Sequence, residues 1–170
     1  MGKRLEELRK QFGVVVDIEA AGGVLGWDQQ TYMPPGGAQG RAMQLATLGR
    51  LAHEQLVSEE MGAALEAAEA EVEGLDADSD EVRMVRKARR EFDKARKVPS
   101  EWVAEFRRLT ALAHQVWEKA RAEADFSQFR APLEEILQLR RDYADFFAPF
   151  DHVYDPLLDD FEPGMKTAEV

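Results

Sequence analysis

Three histidines, at positions 53, 114 and 152, and the lack of any cysteine bound the side-chain chemistry open to this chain. His53-Glu54 begins the pattern His-Glu-x-x-His. In that pattern two imidazoles one helical turn apart hold zinc, and the glutamate between them activates water. Val57 stands where the second imidazole belongs, so the motif is broken, and His114 and His152 lie far away along the chain. Partly exposed histidines on helix faces are the expected outcome. Without cysteine there are no disulfides, thiolate metal sites or thiol nucleophiles. The four serines, Ser58, Ser79, Ser100 and Ser127, each fall where the hydrophobic spacing starts a helix. Glu59-Glu60, Asp80-Glu81 and Glu101 follow the first three, which suits hydroxyl caps and the positive end of a helix dipole. The serines read as caps, not nucleophiles. No Gly-x-Ser-x-Gly elbow, phosphate-cradling loop or dinucleotide fingerprint is present.

Two charge runs are the remaining chemical features. Arg83, Arg86, Lys87, Arg89, Arg90, Lys94, Arg96 and Lys97 form a basic segment broken by Glu91 and Asp93. Its apolar residues keep helical spacing, so a solvated helix face is expected, with an acidic surface of this chain or another as the alternative. Residues 142–162 are acidic, with Asp151, Asp155, Asp159 and Asp160, but lack the ligand spacing and turn glycine of a calcium loop. They too read as solvated. A net charge of −11 argues against nucleic-acid and anionic-membrane partners. No stretch approaches the roughly 20 apolar residues that span a bilayer, and the charged N-terminus resembles no signal peptide. A cytoplasmic protein is expected.

These residues must be carried by helices. Leu5, Leu8, Phe12 and Val15 mark a first helical face, which Gly22, Gly23 and Gly26 weaken towards its end. The small residues 20–23 would also let another helix approach closely. Residues 25–37 are the corner around which the rest is organised. Pro34-Pro35 and Gly36-Gly37 break the helix, and Trp27, Asp28 and Tyr32 mark an ordered corner whose two rings are expected to be buried. Leu45, Leu48, Ala52 and Leu56 mark a second helix; Met61, Leu65, Ala68 and Val72 a third, ended near Gly74. A fourth is expected over 80–97 and a fifth over 100–124 along Trp102, Phe106, Leu109, Ala113, Val116 and Ala120. Leu133, Ile136, Leu137, Tyr143 and Phe147 mark a sixth, with Pro132 near its first turn or kinking it. No strand pattern and no repeat is found. The expected architecture is all-α, one domain of about six to seven helices over 1–170.

The corner also carries a family likeness. Residues 25–38, Leu-Gly-Trp-Asp-Gln-Gln-Thr-Tyr-Met-Pro-Pro-Gly-Gly-Ala, then Arg41-Ala42, Gln44-Leu45-Ala46-Thr47-Leu48 and Leu51-Ala52-His53-Glu54, resemble the N-terminal part of the thermostable carboxypeptidase Taq family. The likeness resumes at Val98-Pro99, Ala124-Asp125-Phe126 and Pro132-Leu133-Glu134. It closes with His152-Val153-Tyr154-Asp155, Leu157-Leu158-Asp159 and Phe161-Glu162-Pro163-Gly164-Met165, where Val153 replaces the family's usual proline. The resemblance implies an all-helical metallocarboxypeptidase with a deep groove between two walls and a catalytic zinc or cobalt. It also implies that the family's His-Glu-x-x-His helix, its third metal ligand and its substrate-carboxylate arginines lie beyond residue 170. No catalytic or metal residue is therefore assigned here, and substrate-binding residues stay unknown.

The expected role is the N-terminal wall of such an enzyme, inactive and metal-free alone. A stand-alone helical interaction protein built on that scaffold is the alternative. Pro163-Gly164 followed by Thr167-Ala168-Glu169-Val170 reads as a turn and a helix start, which suggests truncation. Expected partners are a second copy, as a twofold homodimer, or a catalytic half. Apolar residues are expected to be uncovered on the helices carrying Leu133, Ile136, Phe146 and Phe147.

Overall fold

The computed structural model describes residues 2–170. Among them are seven α-helices and no strand: α1 (Lys3–Thr31), α2 (Ala38–Leu56), α3 (Glu59–Val72), α4 (Asp80–Ala95), α5 (Ser100–Ala122), α6 (Ser127–Asp145) and the short α7 (Asp155–Leu158). One-turn 3-10 segments stand at Pro35–Gly37 and Thr167–Glu169. The all-α architecture follows from apolar stripes at helical period that need facing stripes to cover them.

Two packed regions result. In the first, Leu5, Leu8 and Val15 of α1 meet Met61, Leu65 and Val72 of α3 and Val85 and Phe92 of α4. Leu8, Met61 and Leu65 are its fully buried large side chains. In the second, α2 lies between α1 and α5 and packs on both. Its buried face is Ala38, Ala42, Ala46 and Ala52, so the neighbouring backbones come close. α6 then covers the far side of α5. There the Trp102 indole lies parallel to the Phe106 ring at 5.0 Å, meets Tyr143 at 5.1 Å, and donates from Nε1 to the Leu139 carbonyl at 3.1 Å.

The corner differs from its expectation. α1 runs unbroken through Gly22, Gly23 and Gly26 and through Trp27 to Thr31. A glycine costs a helix interior only about 1 kcal/mol, which the packed remainder of a 29-residue helix absorbs. Proline restricts the residue before it and disturbs the carbonyl four back, so Pro34 and Pro35 act on Gln30 and Thr31 and leave Trp27 inside the helix. The two rings are not buried: Trp27 is 58% and Tyr32 76% exposed, and they meet each other edge to face at 5.5 Å. Gly36 and Gly37 lie in the 3-10 turn that leads into α2. What holds the corner is Arg41, which donates to the Leu25 carbonyl and to Asp28 Oδ2. Gly22, Gly23 and Gly26 admit no neighbouring helix either, because a Cβ at each would meet nothing within 4 Å.

Two of the four serines cap as expected. Ser58 accepts from the Met61 N–H and Ser79 from the Val82 N–H. Ser100 and Ser127 instead fall inside the first turn, after Pro99 and Phe126. At α6 the Asp125 carboxylate accepts both the Ser127 N–H and its hydroxyl. α4 ends at Ala95 and α5 at Ala122, each two residues short of expectation. Pro132 is accommodated within α6. Leu133, Ile136, Phe146 and Phe147 are themselves half-buried, Phe146 against Trp102 and Phe147 against Tyr143, while Leu137 on the same helix is exposed.

Ser58→Ala and Ser79→Ala should each lower stability by about 1 kcal/mol, the usual cost of a lost cap. Ser127→Ala should cost less, because Asp125 supplies the acceptor for its N–H. Urea denaturation of the three variants checks this; equal losses at all three would contradict the assignment.

Candidate functional site

Because α1 and α5 both rest on α2, a cleft opens between them. Its volume is about 430 Å³, and Gly22, Gly23 and Gly26 of α1 line one wall. Arg107, Thr110 and His114 of α5 line the other, with Leu48, Gly49 and Ala52 of α2 as the floor. A Cβ on Gly49 would sit 2.9 Å from Arg107 Cγ, so the missing side chain at 49 is what seats the arginine stem across α2. Gln29 ties the two walls by donating to the Ala111 carbonyl at 2.7 Å.

The structure keeps the histidines apart and gives each a separate setting. His53 Nε2 lies 3.0 Å from the Ala95 carbonyl and Nδ1 3.1 Å from Ser100 Oγ. A carbonyl only accepts, so Nε2 carries the proton and Nδ1 accepts from the serine hydroxyl. Both nitrogens thus tie α2 to the α4–α5 junction. His114 Nδ1 is buried with no hydrogen-bond partner, and Glu118 Oε1 lies 3.6 Å away. His152 Nδ1 accepts from the Tyr154 N–H. Among the described residues no three His, Asp or Glu side chains converge on a point where a metal ion could sit.

The acidic segment is not simply solvated. Asp159 Oδ2 takes Arg90 Nη2 and Lys94 Nζ, both at 2.7 Å, while Oδ1 accepts the Gly164 N–H. Asp160 Oδ1 accepts from Lys94 at 2.6 Å and from the Tyr143 hydroxyl at 2.8 Å. The alternative reading of the basic run thus holds for Arg90 and Lys94, whose acidic partner is this chain's own C-terminal segment. Arg89 pairs with Glu69 at 2.7 Å. Asp155 is buried and accepts the Thr167 hydroxyl and N–H and the His152 N–H. Those hydrogen bonds, with Lys166 nearby, pull its carboxyl down to about 2. Burial alone would raise the Asp159 carboxyl, but Lys94, Gly164 and Arg90 outweigh it and bring it to about 2. Around this knot a second cavity of about 240 Å³ is lined by His53, Lys94, Trp102 and Tyr143.

Sequence reasoning missed three functional candidates: Arg41, Arg107 and the Lys94–Asp159 pair. For Arg41 a signal existed, since it sits in the motif-bearing stretch after the corner and Asp28 is its only nearby acid in that stretch. Residues 94 and 159 are too far apart in sequence for any local pattern to join them.

Comparison with known proteins gives a consistent result. Residues 7–170 match the family described as carboxypeptidase Taq (M32) metallopeptidase. Thermostable carboxypeptidase 1 of Thermus thermophilus is 32% identical over 162 residues, which is 90% of this chain and 32% of that protein. Thermostable carboxypeptidase 1 of Pyrococcus furiosus is 32% identical over 98% of this chain and 33% of its own length. The crystal structure of BsuCP shares the fold at a TM-score of 0.91 and 24% identity, over 98% of this chain and 33% of that one. The Pyrococcus furiosus carboxypeptidase structure aligns at 0.76 and 31% identity, over 99% and 33%. The chain spans about a third of the length of the curated relatives it matches. No helix among the described residues is long and apolar enough to cross a membrane.

The Asp159 knot has a pH signature. Its folded carboxyl lies near 2 against 3.8 for the free group, so its contribution is full above about 4 and is lost as pH falls towards 2. Asp159→Asn should loosen the C-terminal segment at pH 7 and flatten that acid dependence. Limited proteolysis of residues 160–170 between pH 7 and 2.5 reads it out; unchanged cleavage in the variant would contradict the pairing.

Proposed function

Since the chain belongs to the carboxypeptidase Taq (M32) metallopeptidase family, we propose that it is the N-terminal helical wall of a metallocarboxypeptidase groove and does not cleave peptides by itself. The observation that carries this is the pairing of full coverage with missing chemistry. Nearly the whole chain aligns to a third of each relative, yet no triad of metal donors converges among the described residues. In the intact family enzyme the metal and its water would then belong to the other two thirds, and removal of C-terminal residues from peptides would take place against this wall. The unbroken α1, the Arg41 clasp and the α1–α5 cleft supply its shape. The setting we propose is the cytoplasm, since a cysteine-free chain gains nothing from an oxidising compartment.

The 170-residue chain, dialysed and analysed for metal, should retain well under one zinc or cobalt per molecule. It should release no residues from unblocked peptides when a C-terminally amidated peptide is run beside them. Stoichiometric metal together with release from the unblocked peptide alone would refute the proposal.

A second reading, self-association as a twofold homodimer, has an observation of its own. Val16, Ala20, Val24 and Trp27 form an exposed stripe at helical spacing along the outer side of α1, with Tyr32 against its end. An apolar stripe of this kind is covered in an assembly by another surface, and identical chains do so about a twofold axis. Under this reading Val24→Asp halves the mass seen by light scattering after size exclusion while leaving the helical circular dichroism unchanged. A wild-type chain monomeric at high micromolar concentration would exclude it.

A further inference from the structure

The mouth of the cleft between α1 and α5 carries an exposed cation, Arg107, with no acid of the chain paired to it among the described residues. Arg107 lies with its stem packed across Gly49, and among the described residues its guanidinium has neither a carboxylate nor a carbonyl partner. That contrasts with Arg41, Arg89, Arg90 and Arg108, each paired to an acid of this chain. Glu19 on the opposite wall makes no ion pair with it. One cation on one wall and one anion on the other suit a ligand with a single carboxylate near α5 and disfavour a polyanion. His114, whose Nδ1 makes no hydrogen bond and has Glu118 3.6 Å away, and Thr110 extend the polar side of the same wall.

The shape limits the ligand further. From Ile18 to Gln30 the α1 wall runs about 18 Å at ~1.5 Å per residue, which takes roughly five residues of extended chain at ~3.3 Å each. A volume of about 430 Å³ is that of a ligand pocket, well below what a packed helix fills. Gly22, Gly23 and Gly26 keep the α1 wall free of side chains, although nothing in the chain comes within 4 Å of where their Cβ atoms would be. The helix thus gives up stability at three positions for open width that only an outside group can fill.

We propose that this cleft binds an extended peptide segment and that Arg107 receives one carboxylate side chain of it. This rests on the reading of the chain as a groove wall and adds a preference in the bound peptide.

The test titrates the 15N-labelled 170-residue chain with two blocked peptides, Ac-Ala-Ala-Glu-Ala-Ala-NH2 and its Gln counterpart, at low salt. The amide signals of Gly22, Gly23, Gly26 and Gly49 should move. The Glu peptide should bind about fivefold more tightly, the worth of one partly exposed ion pair. Arg107→Gln should remove that ratio and leave the Gln peptide's affinity unchanged. Gly26→Leu, whose Cβ has nothing within 4 Å of it, should abolish both titrations with a thermal midpoint no lower than wild type. Three outcomes overturn the proposal: still glycine signals, a ratio that survives Arg107→Gln, or the same shifts on raising protein concentration without peptide, which would put a second copy in the cleft. None of these bears on metal content or turnover, so failure here and failure of the groove-wall reading are separately visible.

Discussion

The clasp of Arg41 on the end of α1 is the contact on which the remaining geometry depends. One guanidinium reaches the Leu25 carbonyl and the Asp28 carboxylate, joining the last turns of α1 to the start of α2 across a Pro-Pro-Gly-Gly reversal. An arginine fork makes two directional bonds at once, so it sets an angle as well as a distance. The Arg41 side chain is largely covered, with 12% exposed, so the pair is less screened than the exposed Arg50–Glu54 and Arg130–Glu134 pairs. With α1 fixed on α2 and α5 packed on the same helix, the spacing of the cleft walls follows.

Polar contacts reinforce the packing of α2 on α5 and hold the C-terminal segment against α4 and α6. His53 bridges the Ala95 carbonyl and the Ser100 hydroxyl, and Asp159 and Asp160 gather Arg90, Lys94 and Tyr143. The Tyr143 hydroxyl, desolvated and facing Asp160, is held neutral, its ionisation pushed far above the ordinary range of a phenol. Lys94 and Lys97 also lie over the Phe147 ring, so one of the cations that hold the acidic segment also covers an aromatic face.

Most of the helices were legible because each carries an apolar stripe at period 3.6, which is a property of the segment itself. Leu5, Leu8 and Val15, or Met61, Leu65 and Ala68, need only a facing stripe to confirm them. The corner was legible as ordered but not in its means. Whether Trp27 and Tyr32 are buried depends on which side of α1 meets a neighbour, and the sequence of α1 does not contain that neighbour. Ser58 and Ser79 were readable as caps because acids follow them on helices with clear starts. Ser127 was not, since Asp125 two residues earlier takes its N–H and its hydroxyl and the helix already starts after Phe126. Arg107 could not be singled out because an unpaired arginine is recognised only once every nearby acid has been located. The family likeness in the corner motif reached further into function than any side-chain chemistry, as the match over residues 7–170 bears out.

The alanine face of α2 has a calorimetric meaning. Ala38, Ala42, Ala46 and Ala52, with Ala111, Ala113 and Ala120 of α5, bring backbones together while removing little apolar area from water. The heat-capacity change of unfolding tracks that area. The seam between α1, α2 and α5 therefore adds little to the curvature of stability with temperature, whereas the Leu8, Met61, Leu65 and Phe92 region supplies most of it. The two regions respond differently to cold: hydrophobic burial around α3 weakens on cooling, while the close-packed seam, held by dispersion contacts and the arginine clasp, keeps its strength.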